Sequence, residues 1–357
     1  MIWKSGRLAV VAVASVLFAL TGCSAPNGVV GSAQMALSKG KGSAPQETIR
    51  LSSGKKLTIN RNFPFAGSSK VTDALIVIHG AGRNPVSTYT GMMTAASKAG
   101  VSGHTMVLAP KFKIAEDNPG SNEPEWTNDS WKSGEAGTGS GSLSSYAVMD
   151  ELVLTMADKS RFPNLKRLTI VGHSAGGQFT QRYAAFGLAP NKVKGVSINY
   201  VVGNPSSYVY MDPIRPDASG KKFAAPSNAS CKYNEYKYGL DGRTGYVAKL
   251  SKEQVVQNYT SRRVTYLNGG VDVLKKELDM DCGAMLEGKN RLARGAAYYT
   301  YIHSKYPNAP HNRIVVPDVG HDHYALFESP LAKSVLFGGD GGDLADSVLS
   351  HSSSLAE

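Results

Sequence analysis

The sequence predicts an α/β fold with a mostly parallel central sheet and helices on both of its faces. Residues 74–78 and 168–171 are short, continuous apolar runs, which are typical of strands buried on both sides. Residues 145–157 lie between these runs and carry apolar side chains at helical spacing. Because strands that alternate with helices usually pair in parallel, this order predicts a mostly parallel sheet.

The remaining elements continue this alternation after an antiparallel start. Residues 48–51 and 57–60 flank Ser-Ser-Gly-Lys-Lys, and this pattern predicts a hairpin of two strands. Further strands are predicted at 105–108, 193–200, 264–267 and 313–316, and further helices at 87–99, 177–186, 291–305 and 331–337.

The chain divides into four parts by composition. We expect a signal peptide at 1–22, a flexible tether at 23–46, one catalytic domain at 47–337 and a disordered tail at 338–357. Within the domain, residues from 208 to about 257 contain many Tyr, Gly and Lys without a clear period. We interpret them as an insertion between the sixth and seventh predicted strands.

Composition and charge indicate an ordinary globular protein. Hydrophobic residues make up 41% of the 357 residues and charged residues 19%, which is enough for a sizeable core. The formal net charge is +11, but Lys and Arg are scattered along the chain, and no nucleic-acid-binding motif accompanies them. We therefore expect a solvated basic surface and no nucleic-acid partner.

The N-terminus indicates export. Lys4 and Arg7 precede a short apolar run at 8–20, which has the length of a signal-peptide core and is too short for an ordinary membrane span. The tetrapeptide Leu-Thr-Gly-Cys that ends at Cys23 resembles a bacterial lipobox, in which the cysteine is lipidated; the alternative is a cleaved signal peptide with an accidental cysteine. Ser24 resembles the pattern of outer-membrane lipoproteins, so we expect a lipid anchor in the outer membrane, facing the periplasm or the cell surface.

The pentapeptide Gly-His-Ser-Ala-Gly at 172–176 is the strongest catalytic motif. It lies between a predicted buried strand and a predicted helix, which is the context of a nucleophile elbow. The sharp turn lifts the Ser174 hydroxyl above the carboxyl edge of the sheet, where open α/β sheets bind their ligands. The N–H groups at the start of the following helix point at developing negative charge.

These features resemble those of the α/β-hydrolase superfamily from about residue 47 to about 337. Matching motifs are Ile-His-Gly-Ala-Gly at 78–82 and the pentapeptide at 172–176. Within the superfamily, the segments Val-Gly-His-Ser-Ala-Gly-Gly-Gln-Phe and Cys-Lys-Tyr-Asn-Glu-Tyr-Lys-Tyr-Gly-Leu are similar to those of a group of secreted hydrolases. More distantly, the chain resembles secreted esterases and polyester depolymerases. This resemblance implies ester hydrolysis without a cofactor or metal, and it does not define the substrate.

The superfamily order of nucleophile, acid and base indicates where the acid lies. Asp272 follows the strand predicted at 264–267 and a Gly-Gly turn, so we expect it to orient the histidine. Asp212 is the main rival, because some relatives place the acid one strand earlier. Asp279 and Asp281 are expected at the surface or at a helix end.

The base is expected after the last strand, predicted at 313–316. His321 follows a glycine in that loop, as in members of the superfamily. His323 is the alternative. Together with Asp322 the two histidines also resemble a metal site, but no second ligand cluster is visible in the sequence.

Two backbone N–H groups should form the oxyanion hole. One is expected from Ala175, the residue after the nucleophile, and the other from the Gly-rich loop after the strand at 74–78. Within that loop Ala81 is the first candidate and Gly80 the second.

Aromatic residues and cysteines complete the candidate site. Trp126 and Trp131 lie in a polar, Gly/Ser-rich stretch that is predicted to be a surface loop; they form either a substrate platform or packing contacts. With Cys23 lipidated, Cys231 and Cys282 remain, and in an oxidising compartment they are expected to form a disulfide rather than two separate buried thiols.

The sequence therefore favours an exported serine hydrolase that cleaves carboxylic esters, either small molecules or polymers, through an acyl-enzyme. A peptidase or amidase with the same three residues remains an alternative, because the pocket and not the triad selects the leaving group. A binding lipoprotein on a hydrolase scaffold is the third possibility, although it needs none of the three residues.

Overall fold

The computed structural model describes residues 44–139, 142–227 and 231–338. The predicted signal peptide, Cys23, nearly all of the tether and the tail from 339 onward lie outside the described residues.

Eight of the ten strands in the described residues form one mixed sheet in the order β1-β2-β4-β3-β5-β6-β9-β10. The pairs β1-β2 and β2-β4 are antiparallel, and the other five pairs are parallel. This arrangement confirms the predicted α/β fold and its antiparallel start. The strands are β1 (Gln46–Arg50), β2 (Lys56–Arg61), β3 (Asp73–Ile78), β4 (Thr105–Pro110), β5 (Arg167–His173), β6 (Ser197–Gly203), β7 (Arg215–Pro216), β8 (Phe223–Ala224), β9 (Arg263–Gly269) and β10 (His311–Val316).

Nine α-helices are formed by the described residues. They are α1 (Pro85–Lys98), α2 (Ser130–Ser133), α3 (Ser145–Ala157), α4 (Ala175–Phe186), α5 (Lys252–Ser261), α6 (Cys282–Met285), α7 (Arg291–Lys305), α8 (His323–Glu328) and α9 (Pro330–Phe337). Short 3₁₀ turns occur at Ala115–Asp117, Ala189–Lys192 and Gly245–Ala248. None of the helices in the described part of the chain is both long and apolar enough to cross a bilayer.

The sheet is covered on both faces, and the alternation of side chains along β3 shows this directly. Leu75 and Val77 pack in a core with the apolar residues of α1, α8 and α9. Ala74, Ile76 and Ile78 face the opposite core, which contains the apolar side chains of α3, α4, α5 and α7. Successive side chains of a strand point to opposite faces, so a continuous apolar run is needed where both faces are buried.

The insertion lies between β6 and β9, the sixth and seventh strands of the sheet. It contains the small antiparallel pair of β7 and β8. Helix α5 begins at Lys252, inside the stretch predicted to be insertion, and packs against α4. A capping box at Ser251 and Gln254 starts this helix. The final part of the predicted insertion is therefore the helix that returns the chain to the sheet.

Candidate active site

Ser174 lies in a strained turn between β5 and α4. Its φ of 59° and ψ of −121° are rare for a residue with a side chain. A Cβ built on Gly172 would lie 2.3 Å from the carbonyl oxygen of Gly176. A Cβ on Gly176 would lie 2.3 Å from the carbonyl oxygen of Ile78. The two glycines of the motif are therefore required by close backbone approach.

The structure brings Ser174, His321 and Asp272 together in one hydrogen-bonded chain. The Ser174 hydroxyl lies 3.0 Å from His321 Nε2, and His321 Nδ1 lies 2.7 Å from Asp272 Oδ2. A carboxylate can only accept, so Nδ1–H donates to Asp272 and Nε2 is left to accept the hydroxyl proton of Ser174. The Asp272 side chain is fully buried, whereas that of His321 is 20% exposed.

The rival carboxylates lie elsewhere. Asp212 Oδ2 lies 3.7 Å from Lys305 Nζ, and its Oδ1 accepts from the backbone N–H of Ile214. Asp279 accepts from the hydroxyls of Ser207 and Tyr238. Neither carboxylate binds Nδ1 of His321, which donates to Asp272.

His323 belongs to a cluster of three imidazoles beside Ser174. The His173 ring centroid lies 4.4 Å from that of His321 and 6.0 Å from that of His323. His323 Nε2 lies 3.3 Å from the Ser87 hydroxyl. Burial, together with the neighbouring His321 and His323, holds the pKa of His173 well below its usual value, and burial also lowers the pKa of His323. Among the described residues no group of three or more His, Cys, Asp or Glu is arranged to hold a metal ion.

The two predicted oxyanion segments meet at Ser174. Ala175 is the first residue of α4, where helix geometry leaves its N–H without a partner inside the helix. A Cβ built on Gly80 would lie 3.9 Å from Ser174 Cβ, so the loop after β3 passes beside the nucleophile. Ala81 is exposed in that loop, and its carbonyl accepts from Arg83 Nη1.

The buried side chain of His79 holds the oxyanion loop, which we define as residues 79–82. Its side chain is fully buried, with Nδ1 3.0 Å from the Gly80 carbonyl and Nε2 accepting from the backbone N–H of Phe112 at 3.1 Å. The Nδ1 proton therefore points at Gly80, and the ring stays neutral. Burial lowers its pKa from 6.5 to about 4. Sequence reasoning missed this role, although His79 lies within the motif at 78–82.

Trp126 and Trp131 are packed in the core and expose no ring face to a substrate. Their relative exposures are 1% and 0%. Trp126 donates its indole N–H to the Leu143 carbonyl, and both rings pack against Phe112. The structure therefore favours packing, the other alternative given by the sequence, over a substrate platform.

Exposed apolar side chains lie next to Asp272 and His323 along the chain. Val271, Val273 and Leu274, on the loop that carries Asp272, are 50%, 48% and 66% exposed. Tyr324, whose ring packs against His323, is 38% exposed. A cleft of about 160 Å³ is lined by the loop after β3, the start of α1, His173 and His323. Larger cavities of about 420 to 500 Å³ are lined by other parts of the chain.

The structure contains the predicted disulfide. Cys231, in the insertion, is bonded to Cys282, the first residue of α6, with a Cα–Cα distance of 6.2 Å. The bond ties the insertion to the segment that follows the loop of Asp272.

Comparison with solved structures confirms the fold. A poly(aspartic acid) hydrolase from Sphingomonas sp. KT-1 is 21% identical over 82% of this chain and 98% of its own, with a TM-score of 0.58. A poly(3-hydroxybutyrate) depolymerase from Bordetella parapertussis is 21% identical over 86% of this chain and 94% of its own, with a TM-score of 0.59. No protein-family model matches the chain, and no curated protein matches it by sequence. The chain therefore has the α/β-hydrolase fold.

Proposed function

We propose that this protein is a serine hydrolase that cleaves carboxylic esters. The observation that carries the proposal is the continuous chain from the Ser174 hydroxyl through His321 to the buried Asp272, with hydrogen-bond distances of 3.0 and 2.7 Å. A nucleophile needs a base within this distance, and the base needs a group that fixes its tautomer. Both conditions are met here without movement of any side chain.

In the proposed reaction, Ser174 Oγ attacks the ester carbonyl carbon while His321 Nε2 takes the hydroxyl proton. The negative charge that develops on the carbonyl oxygen is stabilised by the N–H of Ala175 and an N–H of the loop at 80–82. His321 returns its proton to the leaving alcohol, and an acyl-enzyme remains. Water, deprotonated by His321, then attacks the acyl carbon. The bond to Ser174 Oγ breaks, His321 returns the proton to Ser174 and the acid leaves.

The exposed apolar side chains on the loop of Asp272 support a substrate that carries an apolar group. Val271, Val273 and Leu274 flank the acid, and an exposed apolar cluster of this kind typically marks a binding surface. According to their names, one of the two neighbours above acts on a polyester and the other on poly(aspartic acid), a polyamide, so polymers of both kinds belong among the first substrates to test. A peptidase or amidase with the same triad is the alternative that this test separates.

A fluorophosphonate probe tests the nucleophile without knowledge of the substrate, because it labels only activated serines. Full-length protein should be labelled at Ser174, as mapped by mass spectrometry, and Ser174→Ala should abolish both labelling and turnover of p-nitrophenyl esters. Ser87→Ala is the matched control, since Ser87 lies close to the site but bonds His323 and Tyr324. Labelling that persists in Ser174→Ala would disprove the assignment, and an unlabelled wild-type protein would favour a binding role. Parallel assays with polyesters and amides decide the bond type.

We further propose that the protein is exported and anchored to a bacterial membrane through lipid on Cys23. The support is the sequence alone, since Lys4, Arg7 and the apolar run at 8–20 precede the lipobox-like tetrapeptide. The disulfide between Cys231 and Cys282 is consistent with an oxidising compartment.

A further inference from the structure

The carboxylate of Asp272 has a second neighbour besides His321. Its Oδ2 binds His321, while Oδ1 has no hydrogen-bond partner among the described residues and lies 3.7 Å from Arg291 Nη1. The side chains of Asp272 and Arg291 are both fully buried. A buried carboxylate oxygen without a hydrogen-bond partner lowers the stability of the folded protein, and a guanidinium at this distance offsets much of that cost.

Arg291 is held rigidly in this place. It is the first residue of α7, and the next residue, Leu292, donates its backbone N–H to the Asp272 carbonyl. The Arg291 guanidinium donates to the carbonyls of Lys276 at 2.9 Å and Glu277 at 2.6 Å, within the loop that carries the acid. The same side chain thus binds the backbone of that loop and lies beside its carboxylate.

We propose that Arg291 is a positioning residue that holds Asp272 aimed at His321, and that its charge extends the working range of the site to lower pH. This inference rests on the proposed function of the triad. It goes beyond that function because Arg291, whose positive charge lies beside Asp272, is not one of the three triad residues.

The sign of the pH effect follows from the charges around His321. An anion at Asp272 favours protonation of His321, and the buried cation of Arg291 weakens that effect. Other ionisable groups near the imidazole are His173 at the end of β5 and, from the chain around α8, Asp322 and His323. These groups remain in an Arg291 variant. Removal of the Arg291 charge should therefore move the acid limb of Ser174 reactivity to higher pH.

The experiment is the pH dependence of fluorophosphonate labelling at Ser174, measured as a second-order rate constant from pH 4.5 to 9 with full-length protein. In Arg291→Gln the acid limb should move up by about one pH unit, a shift of the size expected for one charge lost several ångströms away inside a protein. In Arg291→Lys the charge remains but the planar fork is lost, so the midpoint should stay while the plateau rate falls about 10-fold.

Arg294→Gln is the matched control. Arg294 is equally buried, lies one helical turn further along α7 and binds the carbonyls of Gly288 and Asp279. Its loss should lower the melting temperature without moving the acid limb.

Two outcomes separate this inference from the proposed function. If wild-type protein is not labelled at Ser174, the proposed function fails. If wild-type protein is labelled and Arg291→Gln keeps the wild-type midpoint, only the role of Arg291 is overturned. Should Arg291→Gln fail to fold, a shifted midpoint or an unchanged plateau rate in Arg291→Lys also overturns it.

Discussion

Replacement of His79 by Gln should make the stability of the protein less sensitive to acid. His79 is buried and neutral, with its pKa lowered from 6.5 to about 4 by burial. Below pH 6.5 the unfolded chain takes up a proton at this residue that the folded protein does not. The free energy of unfolding of the wild-type protein therefore falls as the pH falls from 6.5 to 4. Above pH 6.5 His79 does not lower it.

The structure sets the size of the effect. The difference between 6.5 and about 4 corresponds to about 3 kcal/mol at the acid end of the range. Near neutral pH the substitution works in the opposite direction. The flexible Gln side chain places its amide N–H and oxygen at other positions than the two ring nitrogens, so one of the hydrogen bonds to Gly80 and Phe112 should be lost. Loss of one such hydrogen bond costs about 1–2 kcal/mol. The stability curves of the two proteins should therefore cross between about pH 5 and 6.

Urea denaturation from pH 4.5 to 7.5, followed by tryptophan fluorescence, measures these curves. The exposed His104 provides a control, since His104→Gln should leave the pH dependence of the free energy of unfolding unchanged. Buried His173 and His311 contribute in the same direction, but they are present in every protein compared and cancel in the difference. If His79→Gln and wild-type protein lose stability in parallel below pH 6.5, then His79 is not held neutral and the account of the oxyanion loop is incorrect.

Three further substitutions test the remaining assignments. Asp272→Asn should lower ester turnover by about 10⁴-fold, as loss of a triad acid can, whereas Asp212→Asn should have a small effect; a reversed ranking in steady-state kinetics would place the acid one strand earlier. The double variant Cys231→Ser, Cys282→Ser removes a cross-link over a sequence separation of 51 residues, and on the chain-entropy estimate its free energy of unfolding should fall by up to about 4 kcal/mol. An unchanged melting temperature and turnover would rule out a stabilising role. Cys23→Ser should release the protein from the membrane fraction or block its maturation, and continued uptake of labelled fatty acid would refute lipidation at that residue.

The sequence was sufficient to predict the candidate triad, because the three residues follow strands in the parallel part of one sheet. Ser174, Asp272 and His321 come after β5, β9 and β10, and the carboxyl ends of parallel strands meet at one edge. Asp212 satisfied the same sequence criterion, as it also follows a strand. Only the folded path of the insertion shows that Asp212 turns toward Lys305.

The two tryptophans show where a local sequence pattern leaves alternatives open. The stretch around Trp126 and Trp131 has no helical or strand period, and it is polar, so a surface loop was the natural interpretation. In the structure the loop folds back over the core, where Leu143 accepts the indole proton of Trp126 and satisfies its polar atom. Such a partner 17 residues away is a tertiary contact that no local pattern encodes.

Asn204 holds other parts of the candidate site in place and is not one of the three triad residues. It follows β6 with a φ of 40°, and its Oδ1 accepts from the Gly269 N–H at the end of β9 while its Nδ2 lies 3.4 Å from the Gly320 carbonyl. One buried amide thus connects the strand before the acid with the loop that carries His321. Chain order locates the proposed nucleophile, acid and base, since each must follow a strand. Nothing in chain order locates Asn204, His79 or Arg291, because their roles are defined by the atoms they contact and not by the elements they follow.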